Sequence, residues 1–566
     1  MQEQYEKYRT GHIEASKDEV HVARGRGAVA SVSREATQFA IGVLKDGGNA
    51  FDAAFALAFA LAVCHPQAGN LGGGGYIVIK EKKAREPLVF NYREQSPAGA
   101  EKKCYLTDDG TADPDKTAFG PSSVCVPGTV QAFFLLQERY GVLECRDLLK
   151  SLAGLARAGC RISAYQAQCL NRLSPKLSFS PESKKLYVRD REVFRKDDIL
   201  TNSNLANTFE ILAREGMDAF YRGRIADRIE DDLTRNGGVL TVRDLKNYEI
   251  REVRPIQTEL RDCTVWTVPP EGGGAILVEI INILNKQDFL KIKPFTPDYY
   301  HYIAQAAKIA FIDRMAYMGD GDWDDTMVYR AIFDTRSMDE RFTLIDAGRD
   351  KPTMEYAAKL HGAGCEELSI SEAGQETTHF SVVDAEGNAV SNSYTLNLRY
   401  GSKWAIEGTG MLMNGSMDSF AFVPGKPNYF GVMGNRMNLF EPNKRPASNM
   451  APVLVTKKGE IQMLIGSPGG PTIPTSLASI LFAVLVHDID PAVSIGEGRV
   501  HHQAWPDVLY GEQDAALFDK LVHLEAKGYI IEERGEPIGD MHAVFKKREQ
   551  CMGISDYRRE GFAAVY

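Results

Sequence analysis

The chain has 566 residues, 44% of them hydrophobic and 25% charged, with a formal net charge of -10. That balance belongs to an ordinary globular protein and excludes disordered and fibrous designs. The charge is spread along the chain and no Lys/Arg cluster is interleaved with aromatics, which argues against nucleic-acid partners and for small molecules.

The N-terminal stretch MQEQYEKYRTGHIEASKDEV has no apolar core of the kind a secretory signal needs, so a cytoplasmic location is expected, with a periplasmic or secreted one if the start is incomplete. From Arg34 the pattern is helical. An amphipathic segment runs through Leu44, breaks at Asp46-Gly47-Gly48-Asn49, and is followed by FDAAFALAFALAVC, apolar all round and so predicted to be a central helix. That run is shorter than the roughly 20 residues a bilayer requires, so no membrane partner is expected. Nine cysteines without a CxxC pair are expected to be scattered reduced thiols.

Leu71-Gly72-Gly73-Gly74-Gly75 leads into an extended run from Tyr76 to Ile79, answered after a charged turn by Leu88 to Tyr92: a strand hairpin entered through a glycine loop. These glycines lead into a strand rather than from a strand into a helix, so they are no dinucleotide fingerprint. The middle of the chain reads as helices, for example Val130 to Tyr140, Ala206 to Glu215 and Tyr299 to Phe311. From Thr377 onward β-branched runs alternate with turn residues, and a boundary is expected near Gly374-Gln375-Glu376.

TTHFSVV and AVSNSYTLN are joined by Asp384-Ala385-Glu386-Gly387-Asn388, a hairpin loop. If Val383 pairs with Ala389, the register sets Thr377 opposite Thr395, with Asn397 one pleat further on the same face unless a bulge intervenes. By itself such a pair is an ordinary cross-strand contact. Further on, Gly466-Ser467-Pro468-Gly469-Gly470 follows the strand Gln462 to Ile465 and precedes a helical run from Thr475, so its amides are available at a helix start. There is no phosphate-loop motif in the chain, and no cofactor is expected. His501-His502 lacks helical metal-pair spacing and is assigned to structure, as is His379, so no metal is expected.

The segment TTHFSVVDAEGNAVSNSYTLNLRYGS resembles the start of the small subunit of γ-glutamyltranspeptidases, and GGNAFDAAFALAFALAVCHPQAGNLGGGGYIVI, NYREQSP, VPGTVQAF, PNKRPASNMAP and GSPGG resemble that family's other motifs in the same order. The resemblance implies the αββα four-layer sandwich of N-terminal-nucleophile hydrolases, a mixed α/β class. It also implies cleavage between Glu376 and Thr377, giving a large part, 1–376, and a small part, 377–566, that stay intertwined. Thr377 would then be both the self-processing residue and the nucleophile, activated by its own freed amine. Thr395 would support it, and Gly469 and Gly470 would form the oxyanion site.

The same resemblance assigns Arg93, Ser448 and Asn449 to the substrate's α-carboxylate, Asn449 standing where a second serine is usual. Asn397, Ser416 and Ser419 fall at the α-ammonium positions, where the family usually carries acidic or amide side chains. Two neutral serines weaken the charge recognition of an ammonium. The implied function is hydrolysis or transfer of a γ-glutamyl group from a glutathione-like donor to water or an amine. The alternative within the family is an acylase for glutaryl-type amides. A reading of another class is an unprocessed binding protein, recognisable by a single band on a gel. Val423 to Gly431 resembles the family's lid loop.

Overall fold

The helix Ala50–Cys64 has every residue buried, as its nearly all-apolar sequence predicts. Its start is fixed by Asn49, whose side chain accepts from the amides of Phe51 and Asp52 while Asp52 reaches back to the Asn49 amide. The preceding helix, Arg34–Lys45, ends at the predicted break. Phe59 stacks on Phe55 at 4.6 Å and meets Phe209 at 5.7 Å. Phe59→Ala is expected to cost about 3–5 kcal/mol of stability, read as a lower urea midpoint.

A computed structural model describes residues 20–321, 329, 332–361, 375–423, 426 and 437–566. Two seven-stranded sheets, antiparallel throughout, form its centre. One runs in the order Phe562–Val565, Ala28–Ser31, Gln375–Val383, Ala389–Leu398, Gly74–Lys80, Leu88–Asn91, Arg251–Val253. The other runs His21–Gly25, Gln550–Ser555, His542–Lys547, Glu460–Gly466, Val453–Lys457, Cys263–Thr267, Ile256–Leu260. Between them lies a core that includes Ala30, Val78, Val383, Leu454, Leu464 and Val544. Helices such as Ala50–Cys64 and Thr129–Tyr140 cover the outer face of the first sheet. Gly274–Leu284 and Pro297–Tyr317 cover that of the second. The four-layer αββα expectation therefore holds.

Among the described residues no helix is long and apolar enough to cross a membrane. The cysteine expectation needs correcting, because Cys64 and Cys160 form a disulfide across 96 residues of sequence. Pairing at that separation leaves no local spacing signal: Cys64 closes the buried helix and Cys160 opens a two-residue strand.

Candidate active site

The hairpin of Gln375–Val383 and Ala389–Leu398 is held from both ends. At its turn Asp384 accepts from the amides of Gly387 and Asn388, each at 2.8 Å, and its other oxygen accepts from the Ala50 amide at 3.0 Å. A carboxylate there also faces the positive end of the buried helix. Further along, the Tyr394 hydroxyl donates to Ala58 O at 2.9 Å. The hairpin is thus pinned to the central helix.

Val383 pairs with Ala389 and Thr377 with Thr395, the expected register. The bulge falls one step later, between Glu376 and Thr377, so Glu376 stands opposite Asn397. Asn397 is therefore not one regular pleat beyond Thr395; its φ of 74° belongs to the bulge. The peptide bond at the register break is the one joining Glu376 to Thr377. Its carbonyl oxygen accepts a 2.5 Å hydrogen bond from the Thr395 hydroxyl, which in turn accepts from the Asn397 amide at 2.8 Å. Thr395 thus bonds the carbonyl of the residue before Thr377.

Residues 377, 379, 381 and 383 share the strand face that looks into the gap between the sheets. Ser381 donates to His542 O in the other sheet at 3.1 Å, and Val383 lies in the core between the sheets. His379 is fully buried, its pKa held well below 6.5 by desolvation and then by His542. Its two nitrogens meet Ser393 Oγ at 2.9 Å and Ser381 Oγ at 3.0 Å, which is a packing role. A Cβ at Gly466 would lie 2.2 Å from His379 Nδ1, so the glycine lets the loop after this strand approach Thr377's face closely. In that loop Gly469 and Gly470 have φ of 128° and 58°, and neither amide donates to an acceptor among the described residues. The helix Thr472–Leu481 follows directly.

On the other side, Ser416–Ser419 forms a short 3-10 turn. Asn397 Nδ2 donates to Gly415 O at 2.8 Å, and Ser419 Oγ donates to Asn397 Oδ1 at 2.9 Å. Ser416 Oγ donates to Glu94 Oε1 at 2.9 Å, and Glu94 Oε2 takes Arg93 Nη1 at 2.6 Å. Both members of that ion pair are buried. The Arg93 amide donates to Asn91 Oδ1, Asn91 Nδ2 to Glu271 Oε1, and the Ser448 amide to Glu271 O at 2.9 Å. Asn449 Oδ1 accepts from buried Arg314 at 2.9 Å. Hydrogen bonds therefore connect Thr395 to Asn397, Ser419 and the turn, and Ser416 through Glu94 to Arg93 and on to Ser448. Asn449 joins a separate partner. The lid resemblance at Val423 to Gly431 lies largely outside the described residues.

Glu94 is the neighbour the motif reading passed over. Its place immediately after Arg93 was the available signal, because a buried arginine needs a counter-charge. Removing one partner of such a pair costs about 3–5 kcal/mol, so an Arg93 substitution reads on stability.

Elsewhere, Asp350, His502 and Asp507 bring three possible ligand atoms within 4.8 Å of one another. The ammonium of Lys308 lies 2.8 Å from Asp350 and 2.7 Å from Asp507, so a side-chain cation already serves those carboxylates. His501 bonds Thr475 Oγ1 and Gln503 Oε1, in keeping with a structural role.

The sequence model described as Gamma-glutamyltranspeptidase matches residues 36–566. The chain belongs to the γ-glutamyltranspeptidase family. It is 36% identical to the glutathione hydrolase proenzyme of Escherichia coli strain K12, over 96% of this chain and 92% of that protein. It is 34% identical to the corresponding Pseudomonas aeruginosa proenzyme, over 95% and 94%. Among solved structures, a cephalosporin acylase from Bacillus halodurans superposes with a TM-score of 0.82 at 23% identity, covering 98% of each chain, which speaks for the fold. A γ-glutamyltranspeptidase chain from Helicobacter pylori gives a TM-score of 0.55 at 30% identity, over 59% of this chain and 96% of its own. The chain is accordingly an enzyme of this family, as its ordered motifs imply.

Proposed function

We propose that this chain cuts itself between Glu376 and Thr377 and then works as a γ-glutamyl hydrolase and transferase on glutathione-like donors. The observation that carries the reading is the hydrogen bond from the Thr395 hydroxyl to the carbonyl oxygen of Glu376, at the bulge beside Thr377. Attack by Thr377 Oγ on that carbonyl carbon puts negative charge on an oxygen already facing a donor. The hydroxyl proton passes to the departing Thr377 nitrogen as the C–N bond breaks, leaving an ester. Water then hydrolyses the ester, leaving a carboxylate on Glu376 and restoring the Thr377 hydroxyl beside its freed amine. The relatives' designation as proenzymes and the partial span of the Helicobacter pylori chain both fit a protein made whole and used as two pieces, 1–376 and 377–566.

In the processed form the Thr377 amine, with an ordinary pKa near 8, takes the proton of its own hydroxyl. The hydroxyl oxygen attacks the donor's amide carbon, the donor's amine leaves with the proton held by the Thr377 amine, and water or an acceptor amine releases the acyl group. The unengaged amides of Gly469 and Gly470 suit the oxyanion of that step. Arg93 and Ser448 suit the donor's α-carboxylate through charged and neutral hydrogen bonds, with Asn449 beside them.

A glutaryl-type donor is the second reading, and a specific observation favours it. The hydroxyl protons of Ser416 and Ser419 are committed to Glu94 and Asn397, and neither serine carries a charge to meet an ammonium. Ser419→Asp is expected to raise kcat/KM for a γ-glutamyl anilide relative to a glutaryl anilide by about 10–100-fold, the effect of one hydrogen bond to a charged group. An unchanged ratio in that comparison removes the ammonium site from this turn. For location, a Cys64–Cys160 disulfide favours an oxidising compartment, periplasmic or extracellular, over the cytoplasm.

A further inference from the structure

Glu376 is a charged residue with no exposed surface, in the position immediately before the proposed cut. A buried carboxylate is expensive unless several donors meet it. Three do, each from a different part of the chain. Arg399 Nε donates to Oε2 at 2.6 Å from just beyond the second hairpin strand. The Tyr165 hydroxyl donates to the same oxygen at 3.0 Å from the helix Ala164–Leu177. Arg559 Nη1 pairs with Oε1 from the turn before the last strand. Arg399 is itself fixed by two bonds to Glu536, at 2.9 Å and 2.5 Å, so the clamp is braced from behind.

We infer that this clamp makes Glu376 a positioning residue for self-cleavage, an inference that rests on the cut proposed above. The side chain anchors the residue on one side of the scissile carbonyl, and the Thr395 hydroxyl holds the carbonyl oxygen on the other. With Cα and O both fixed at the bulge, the carbonyl carbon has little freedom to turn away from Thr377. Near-attack geometry of this kind is where rate is won or lost: a displacement of about 1 Å costs on the order of 100-fold. Neither arginine needs to touch the reacting atoms. Once the cut is made, Glu376 is no longer joined to the nucleophile, so the clamp's work belongs to processing and not to turnover of donors.

The test follows decay of the full-length chain by gel and intact mass after synthesis is stopped, for wild type, Glu376→Gln, Glu376→Ala and Glu376→Asp. Folding is checked separately as the melting temperature of the uncleaved chain, with each change placed on Thr377→Ala. The inference predicts that the small fragment begins at Thr377 in every case. It predicts processing roughly 10–100-fold slower in the Gln and Ala variants, a rate closer to wild type for Asp, which keeps the charge, and melting temperatures that do not account for the slowing. Wild-type rates in both Gln and Ala variants overturn the clamp while leaving the cut in place, as does slowing that simply follows lost melting temperature. Failure of the wild-type chain to yield any fragment starting at Thr377 overturns the cleavage reading itself, and the clamp with it.

Discussion

Thr377→Ala is expected to leave a single full-length band on prolonged incubation and to lower turnover of γ-glutamyl anilide by at least about 10⁴-fold. Two losses coincide in that variant. Without the hydroxyl there is nothing to attack the Glu376 carbonyl, so the peptide bond at the bulge stays closed. Without the cut there is no free amine at position 377 to act as base for any other nucleophile. The change itself is small: Thr377 is only 6% exposed and loses a hydroxyl and a methyl. Thr377→Ser keeps the hydroxyl and is expected to process and turn over, more slowly because the freer side chain has more rotamers to lose. Quantitative gel densitometry over time, with anilide release from the same samples, distinguishes the three proteins.

Thr395→Ala removes the donor that faces the Glu376 carbonyl oxygen, where the proposed cut falls. Loss of one preorganised donor from an oxyanion site typically costs about 10²–10³-fold in rate, and processing is expected to slow by that amount. The same hydroxyl accepts the Asn397 amide, so the variant also frees the bulge that carries Asn397 towards Ser419. Thr395→Ser retains both bonds and should process at close to the wild-type rate. Thr395→Val preserves shape without the hydroxyl and should resemble Ala. If Val and Ser behave alike, the hydroxyl contributes nothing to the cut and Thr395 is a packing residue.

Much of the site was legible because its logic is local. A five-residue loop between two alternating runs sets the register that brings Thr377 to Thr395, and the Asp384 carboxylate closes the turn by accepting from the amides of Gly387 and Asn388. The nearly all-apolar helix, the break that precedes it and the glycine entry to Gly74–Lys80 were readable for the same reason. The bulge was not, since one extra residue in a strand has no compositional mark when neither Gly nor Pro is used. Nor could sequence reveal partners brought in from far away. Ser416 meets Glu94 across 322 residues and Arg559 meets Glu376 across 183, contacts that exist only once the chain has folded. The disulfide escaped notice on the same ground. The outer strands were also silent: His21–Gly25 and Phe562–Val565 are short, part-exposed runs whose place depends on what they pair with.

N-terminal sequencing and intact mass of the purified protein test the central claim most directly. The account predicts two fragments in equal amount, the smaller beginning Thr377-Thr378-His379 and the larger ending at Glu376. A protein that remains one chain after long incubation, or whose small fragment begins at any other residue, contradicts it.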